Sequence, residues 1–247
     1  MRGVRAALAH EWIKFRSVRS TVWTTVVMAV LPVPGAVFVA ATESLQPDDT
    51  VLGGALTLSV PALMLAAVVG ALVMSGEYSS GTIRTTFAAT PRRRTVLGAK
   101  AVLVAGGLYL LALPSVVCAY LVGGALLGDG YAQGDPMPAL LGVAGAFSVA
   151  GLLGLAVGTL VRHSAGAVTT VLGVLLLPSL FGPLFGDAQR WVAGISPTAA
   201  LEKLTQTSDA TAEAVGSLAA WPSLALVGGY TVLLLLAADT ALGRRDA

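Results

Sequence analysis

The chain has 247 residues, of which 55% are hydrophobic and only 11% charged, against about 25% charged in soluble domains. With a mean hydropathy of +0.82, this composition excludes an ordinary soluble domain and points to a membrane protein. A net charge of +2 is too small to call for a nucleic-acid partner. The single cysteine, Cys118, permits no intrachain disulfide and reads as a small packing residue in an apolar run.

The first segment, residues 1–20, reads MRGVRAALAHEWIKFRSVRS. On a helix Val4, Leu8, Trp12, Phe15 and Val18 share one face, while Arg2, Arg5 and Arg16 lie beside or opposite it. Glu11 and Ile13 interrupt the pattern. The stripe predicts an amphipathic helix in the headgroup layer. Trp12 and Phe15 would then sit at the interface, with Lys14, Arg16 and Arg19 near anionic lipid. The plainer alternative is a solvated basic leader that only sets topology.

Six stretches are long and apolar enough to cross a membrane, each near the required length of about 20 residues. They are expected at 22–41, 52–75, 99–127, 139–161, 165–185 and 221–242, so the predicted fold class is an all-α polytopic membrane protein. Closed helices satisfy their own backbone in lipid, and the alternating pattern of a transmembrane barrel is absent. Val39-Ala40-Ala41 loosely resembles a signal-peptidase site. The run before it is longer than a usual signal core and follows a structured polar segment, so it is expected to remain as a span.

Thirteen of the fifteen Lys and Arg residues fall on one side of such a six-span layout. Arg190 and Lys203, in the loop before the last span, fall on the other. Positive segments stay inside, so both termini are expected in the cytoplasm. Prolines recur in or near the spans at 32, 34, 61, 114, 178 and 183, each a possible kink and each also ordinary in membrane helices. Gly124-x-x-x-Gly128 and Gly154-x-x-x-Gly158 are candidate close-packing motifs.

The densest polar insert is GEYSSGTIRTTFAATPRRRTVLGAK, residues 76–100. Glu77 ends the second span. Residues 79–89 are expected to be helical, with Ile83 and Phe87 on one face and Arg84 beside them, and Pro91 turns the chain. Arg92, Arg93 and Arg94 then lead into the third span near Val96. Read alone, these arginines serve as topology signals and headgroup anchors as readily as a docking site.

No P-loop motif and no His-Glu-x-x-His occurs, so the chain is not expected to bind ATP or to be an enzyme. His10 and His163 read as interfacial or loop residues, and no metal site is expected. Ionisable residues are missing from the centres of the spans; Lys100 and Asp239 lie toward ends, where they are expected to reach the interface. This disfavours an ion-coupled carrier and predicts an apolar path.

Glu77, Gly81-Thr82, Ala89-Thr90-Pro91, Arg92-Arg93-Arg94 and Gly98-Ala99-Lys100, in that order, resemble the ABC-2 type family of ABC transporter permeases. The leader HEWIKFRSVRST also looks like the start of actinobacterial members. The resemblance implies a connecting, or elbow, helix at 1–20 and a six-helix membrane domain at 21–247. It implies a coupling helix at 78–95 seated on a separate P-loop ATPase, which would carry the ATP and magnesium. Glu77, Tyr78, Gly81, Thr82, Ile83, Arg84, Phe87, Pro91, Arg92 and Arg93 would carry the coupling. Residues 186–220, with Ile195-Ser196-Pro197-Thr198, would match the family's outer helices. Tyr78 stands where a second charged residue is common. A second permease subunit and membrane lipid are the other implied partners, the plasma membrane is the implied location, and export of a lipophilic or amphipathic drug, peptide or lipid is the implied activity. The alternative is a scaffold or sensor subunit without transport.

Overall fold

The first helix, α1 (Arg2–Ser17), stops at Val18, whose backbone is extended at φ −91°, ψ 104°. The chain then turns into α2 (Arg19–Val30) and α3 (Pro32–Thr42), which run on through a helical Leu31. Proline lacks a donor but fits the start of a helix, so Pro32 marks the joint without ending the span. Glu43, left-handed at φ 49°, ends it. In this computed structural model residues 2–46, 48–89, 93–208 and 210–244 are described. For residues 2–7, Phe87, Ala89, Asp129, Pro183, Asp187 and Arg244 the backbone alone is described. The predicted turn at Pro91 and the cations Arg92 and Arg245 lie outside the described residues.

The predicted second span, 52–75, is two elements. Thr50 caps a short helix, α4 (Val51–Ala55), by accepting the Gly53 N–H at 3.0 Å. Only α5 (Ser59–Ser79) is long enough to span. Pro61 falls in its first turn, where no intrahelical donor is lost, so the kink expected there has no cause. The helix expected from residue 79 begins later, as α6 (Ile83–Ala89), after a turn in which Gly81 adopts φ 72°. The third span starts earlier than expected: α7 runs from Arg93 to Leu127, with Pro114 inside it. At 35 residues it is ~52 Å long, well beyond the ~30 Å hydrocarbon core.

The remaining spans, α8 (Pro136–Val161) and α9 (Ser164–Phe181), meet at Arg162 and His163. Arg162 is left-handed at φ 60°, and His163 caps α9 by accepting the Gly166 N–H at 3.2 Å. A 3-10 stretch (Gly182–Ala188) leads to α10 (Gln189–Gly194), α11 (Pro197–Thr205), α12 (Ala212–Val215) and the last span, α13 (Ala220–Arg244). The described residues hold six helical stretches long and apolar enough to cross a membrane, and no strand beyond an isolated bridge between Thr50 and Ala132. The fold is that of an all-α polytopic membrane protein.

Helix α8 is the centre of the bundle: 78% of its most apolar window is buried, against 17% for α9 and for the final span. Small residues make this possible. A Cβ placed on Gly154 would stand 1.9 Å from the Ala67 carbonyl oxygen, and one on Gly70 would stand 1.8 Å from that of Gly151. The backbones of α5 and α8 therefore touch, as small-x-x-x-small motifs permit. Gly154-x-x-x-Gly158 does this packing. Gly124 has only Val51 near its missing Cβ, at 3.9 Å, and Gly128 has nothing within 4 Å, so the other expected motif packs nothing. Cys118 is exposed on the flank of α7 rather than buried as a packing residue.

Within residues 186–220, expected as an outer segment, the joint between α10 and α11 reaches inward from the end of the bundle. The Thr198 hydroxyl donates to the Leu175 carbonyl at 3.4 Å, and the Tyr230 hydroxyl donates to that of Ile195 at 3.3 Å. Leu175 lies ~9 Å before the end of α9 at Phe181, and Tyr230 ~15 Å into α13 from its start. The joint between α10 and α11 thus dips well below the ends of its neighbours. Ser196 and Thr198 bond each other there, and Ser196 caps α11 through the Ala199 N–H. These bonds satisfy backbone that lies deep in the bundle, the condition for irregular structure at that depth.

Candidate functional site

The termini of α1, α5, α6 and α7 converge at one end of the bundle around a buried group of charges. Lys100, only 1% exposed, stands on the second turn of α7. Its ammonium donates to Glu11 of α1 and to Glu77 of α5, both at 2.5 Å, and to the Val73 carbonyl at 3.3 Å. Three donors thus meet three acceptors, the full capacity of the group. Lys14, on α1, approaches from the open side. It donates to Glu77 Oε1 at 3.1 Å and to the Thr86 hydroxyl at 2.7 Å, and lies 3.7 Å from Glu11. Thr86, the inward residue of α6, donates in turn to Glu77 Oε2 at 2.8 Å.

Two carboxylates and two ammoniums cancel, so the group carries no net charge despite its burial. Taking charges out of water costs several kcal/mol each, and close pairing with full hydrogen bonding is what offsets it. The sequence places these residues by helical spacing. Glu11 and Lys14 are three apart on one face of α1, and Glu77 is in the last turn of α5. A cavity of about 390 Å³ lies against the group, walled mainly by Phe15, Val18, Leu72, Val73 and Leu103.

Of the residues predicted to couple, Glu77 stands at the centre. Ile83 is 4% exposed and packs with Met74, Leu97, Leu155 and Leu242, which seats α6 on the bundle. The Thr82 carbonyl anchors the first turn of α6, accepting the Thr86 N–H at 3.1 Å. Gly81 supplies the turn. Arg84 is exposed. Tyr78 has the Arg162 guanidinium over its ring, 5.2 Å from the centroid, a cation–π contact. Arg93 is not a free docking cation. It donates to the Leu242 carbonyl at 2.8 Å, and Arg94 pairs with Asp239 at 3.0 Å, so both tie α7 to α13. Of Phe87 only the backbone is described, and Pro91 and Arg92 are outside the described residues.

The predicted interfacial anchors divide. Trp12 is 49% exposed and stacks on Phe15 at 6.2 Å, and Arg16 and Arg19 are exposed. Lys14 turns inward to the carboxylates instead of toward headgroups. Glu11, which had looked like a fault in the apolar stripe, is the buried residue of α1 among those whose side chains are described. Lys100 does not reach the interface; its stem and ammonium are enclosed. Sequence reasoning missed Glu11, Lys100 and Thr86. The available signal was that an ionisable residue inside an apolar helix requires a partner, and two carboxylates, Glu77 and the unassigned Glu11, lay near the same end.

No protein-family model matches the chain, and no curated protein matches it significantly.

Proposed function

We propose that the chain is the membrane-spanning permease subunit of an ABC-2 type exporter, driven by ATP hydrolysis with magnesium on a separate P-loop ATPase subunit. The supporting observation is the bonding of α6 to the buried charge group. Thr86 links this short helix to Glu77 and Lys14, and through them to α1, α5 and α7. A displacement of α6 by a bound motor would pass into a span directly, through Glu77, and into the neighbouring elements through Lys100 and Lys14.

The exposed face of α6, carrying Arg84, Thr85 and Ala88, is the docking face in this reading. Two permease copies, or one with a related chain, would enclose the path in the plasma membrane, with both termini inside. The spans keep their paired charges at one end, which suits a lipophilic or amphipathic cargo. Replacing exposed residues leaves the fold alone, so Arg84→Glu with Ala88→Glu is the informative variant. A P-loop ATPase should co-purify with the native chain from its own membrane and be lost with the variant. Recovery of no ATPase by either would make the chain a scaffold or sensor.

A further inference from the structure

Two cavities meet at Ile195, at the turn between α10 and α11. The upper one, about 320 Å³, opens at the end of the bundle away from the charge group; Arg190, Trp191, Lys203, Glu213 and Leu218 line it. The lower one, about 500 Å³, is a cleft between α8, α9 and α13 whose walls include Val157, Val174, Pro178, Tyr230 and Leu234. The upper space is amphipathic and the lower almost wholly apolar. Each has the size of a ligand site.

The upper cavity has an excess of positive charge. Among the residues whose side chains are described, a set that leaves out Asp187 and Asp209, no carboxylate lies within ion-pair distance of Lys203 or of Arg190. Lys203 donates to the Ser223 hydroxyl at 3.0 Å, a neutral partner. Burial pulls its ammonium below the usual lysine range, and an anion beside it would reverse that. Arg190 lies 5.9 Å from the centre of the Trp191 ring, and Trp191 is 67% exposed, as an aromatic at headgroup level would be. Among the residues whose side chains are described, Glu213 supplies the one carboxylate on the wall.

We propose that this pair of cavities binds a single membrane glycerophospholipid, its phosphate on Lys203 and Arg190 and one acyl chain in the cleft below Ile195. Ile195 lines both cavities, so the charged pocket and the apolar cleft adjoin at the joint between α10 and α11. Charge complementarity selects the phosphate, and the apolar cleft beside it selects a molecule with a tail. The assignment stands whether or not the chain works with an ATPase.

The test is native mass spectrometry of the purified, delipidated full chain in detergent, titrated with dioleoylphosphatidylglycerol. One adduct should form well before further lipids bind. Lys203→Gln should weaken it about tenfold or more, the scale of a lost charge-assisted hydrogen bond, while Lys203→Arg retains it. Val174→Trp, which fills the cleft from an exposed position on α9, should weaken it too without touching the cations. Diolein, which lacks the phosphate, should not bind at this stoichiometry, and glycerol 3-phosphate should not compete. Equal binding by native chain and both weakening variants would overturn the site as ordinary annular lipid. Displacement by glycerol 3-phosphate would overturn it as a site for a small soluble anion.

Discussion

Lys100 concentrates the energetics of the candidate site in one side chain. Its removal leaves Glu11 and Glu77 without their enclosed cation, with only the part-exposed Lys14 to balance both. Lys100→Met should therefore cost about 3–5 kcal/mol, read as a fall in melting temperature of the detergent-solubilised protein. Adding Glu77→Leu removes half of the stranded charge, so the double variant should lose less than the two single losses combined. Strict additivity would mean that the residues do not act as a unit. The sequence announced a lysine in a span but not its partners, which lie 89 and 23 residues away. Long-range pairs of this kind have no local signature.

Asp49 gives a second residue-scale expectation. Burial raises its pKa, but the Ser208 hydroxyl and the backbone N–H groups of Gln46 and Ser208 more than offset this, holding the carboxyl below its usual range. A depressed acid contributes stability above the unfolded pKa of about 4 and loses it as pH falls through the lower folded value. The difference in melting temperature between the native chain and Asp49→Asn should be present at neutral pH and vanish in strong acid.

At the scale of elements, the contact of α5 with α8 is the least forgiving. Gly154→Val forces backbones apart, because the nearest atom is the Ala67 carbonyl oxygen and not a movable side chain. A loss of at least about 1–3 kcal/mol follows, seen as a lower melting temperature and a polydisperse chromatogram. Gly124→Ala, at a superficially identical motif, should change neither. Spacing in the sequence exposed both motifs equally; only the neighbour across the gap tells them apart. Helix existence was legible for every span, because apolar length and period carry it. The extra break at residues 56–58 was not, since Val51–Ala55 and Ser59–Ser79 are equally apolar. The early start of α7 was hidden too, because arginines there read as loop.

Across the whole molecule, the two ends of the bundle are fastened by different means. At one end charges bind α1, α5, α6 and α7, and Arg94 with Asp239 adds α13. At the other, Asp49 meets Ser208, the Gln206 side chain bonds the Asp135 backbone in both directions, and Thr50 bridges Ala132, so three connecting segments join through hydrogen bonds. The six-span layout followed from composition and length, whereas the dip of the α10–α11 joint did not. Polar residues from 206 to 213 advertise a surface segment, and nothing local shows that Ile195 turns at the depth of Leu175.

The charge group also sets an order of events during synthesis. Glu11 emerges from the ribosome first and Glu77 much later, but neither has its enclosed counter-charge until Lys100 follows on a third helix. Until then α1 has only the half-buried Lys14–Glu77 pair to hold it against α5, and Glu11 remains accessible from outside. A nascent chain halted before residue 100 should expose a cysteine placed at position 11 to a water-soluble maleimide, and one halted after α7 has entered the membrane should protect it. The N-terminal helix is thus the first part of the protein to be made and among the last to be fastened.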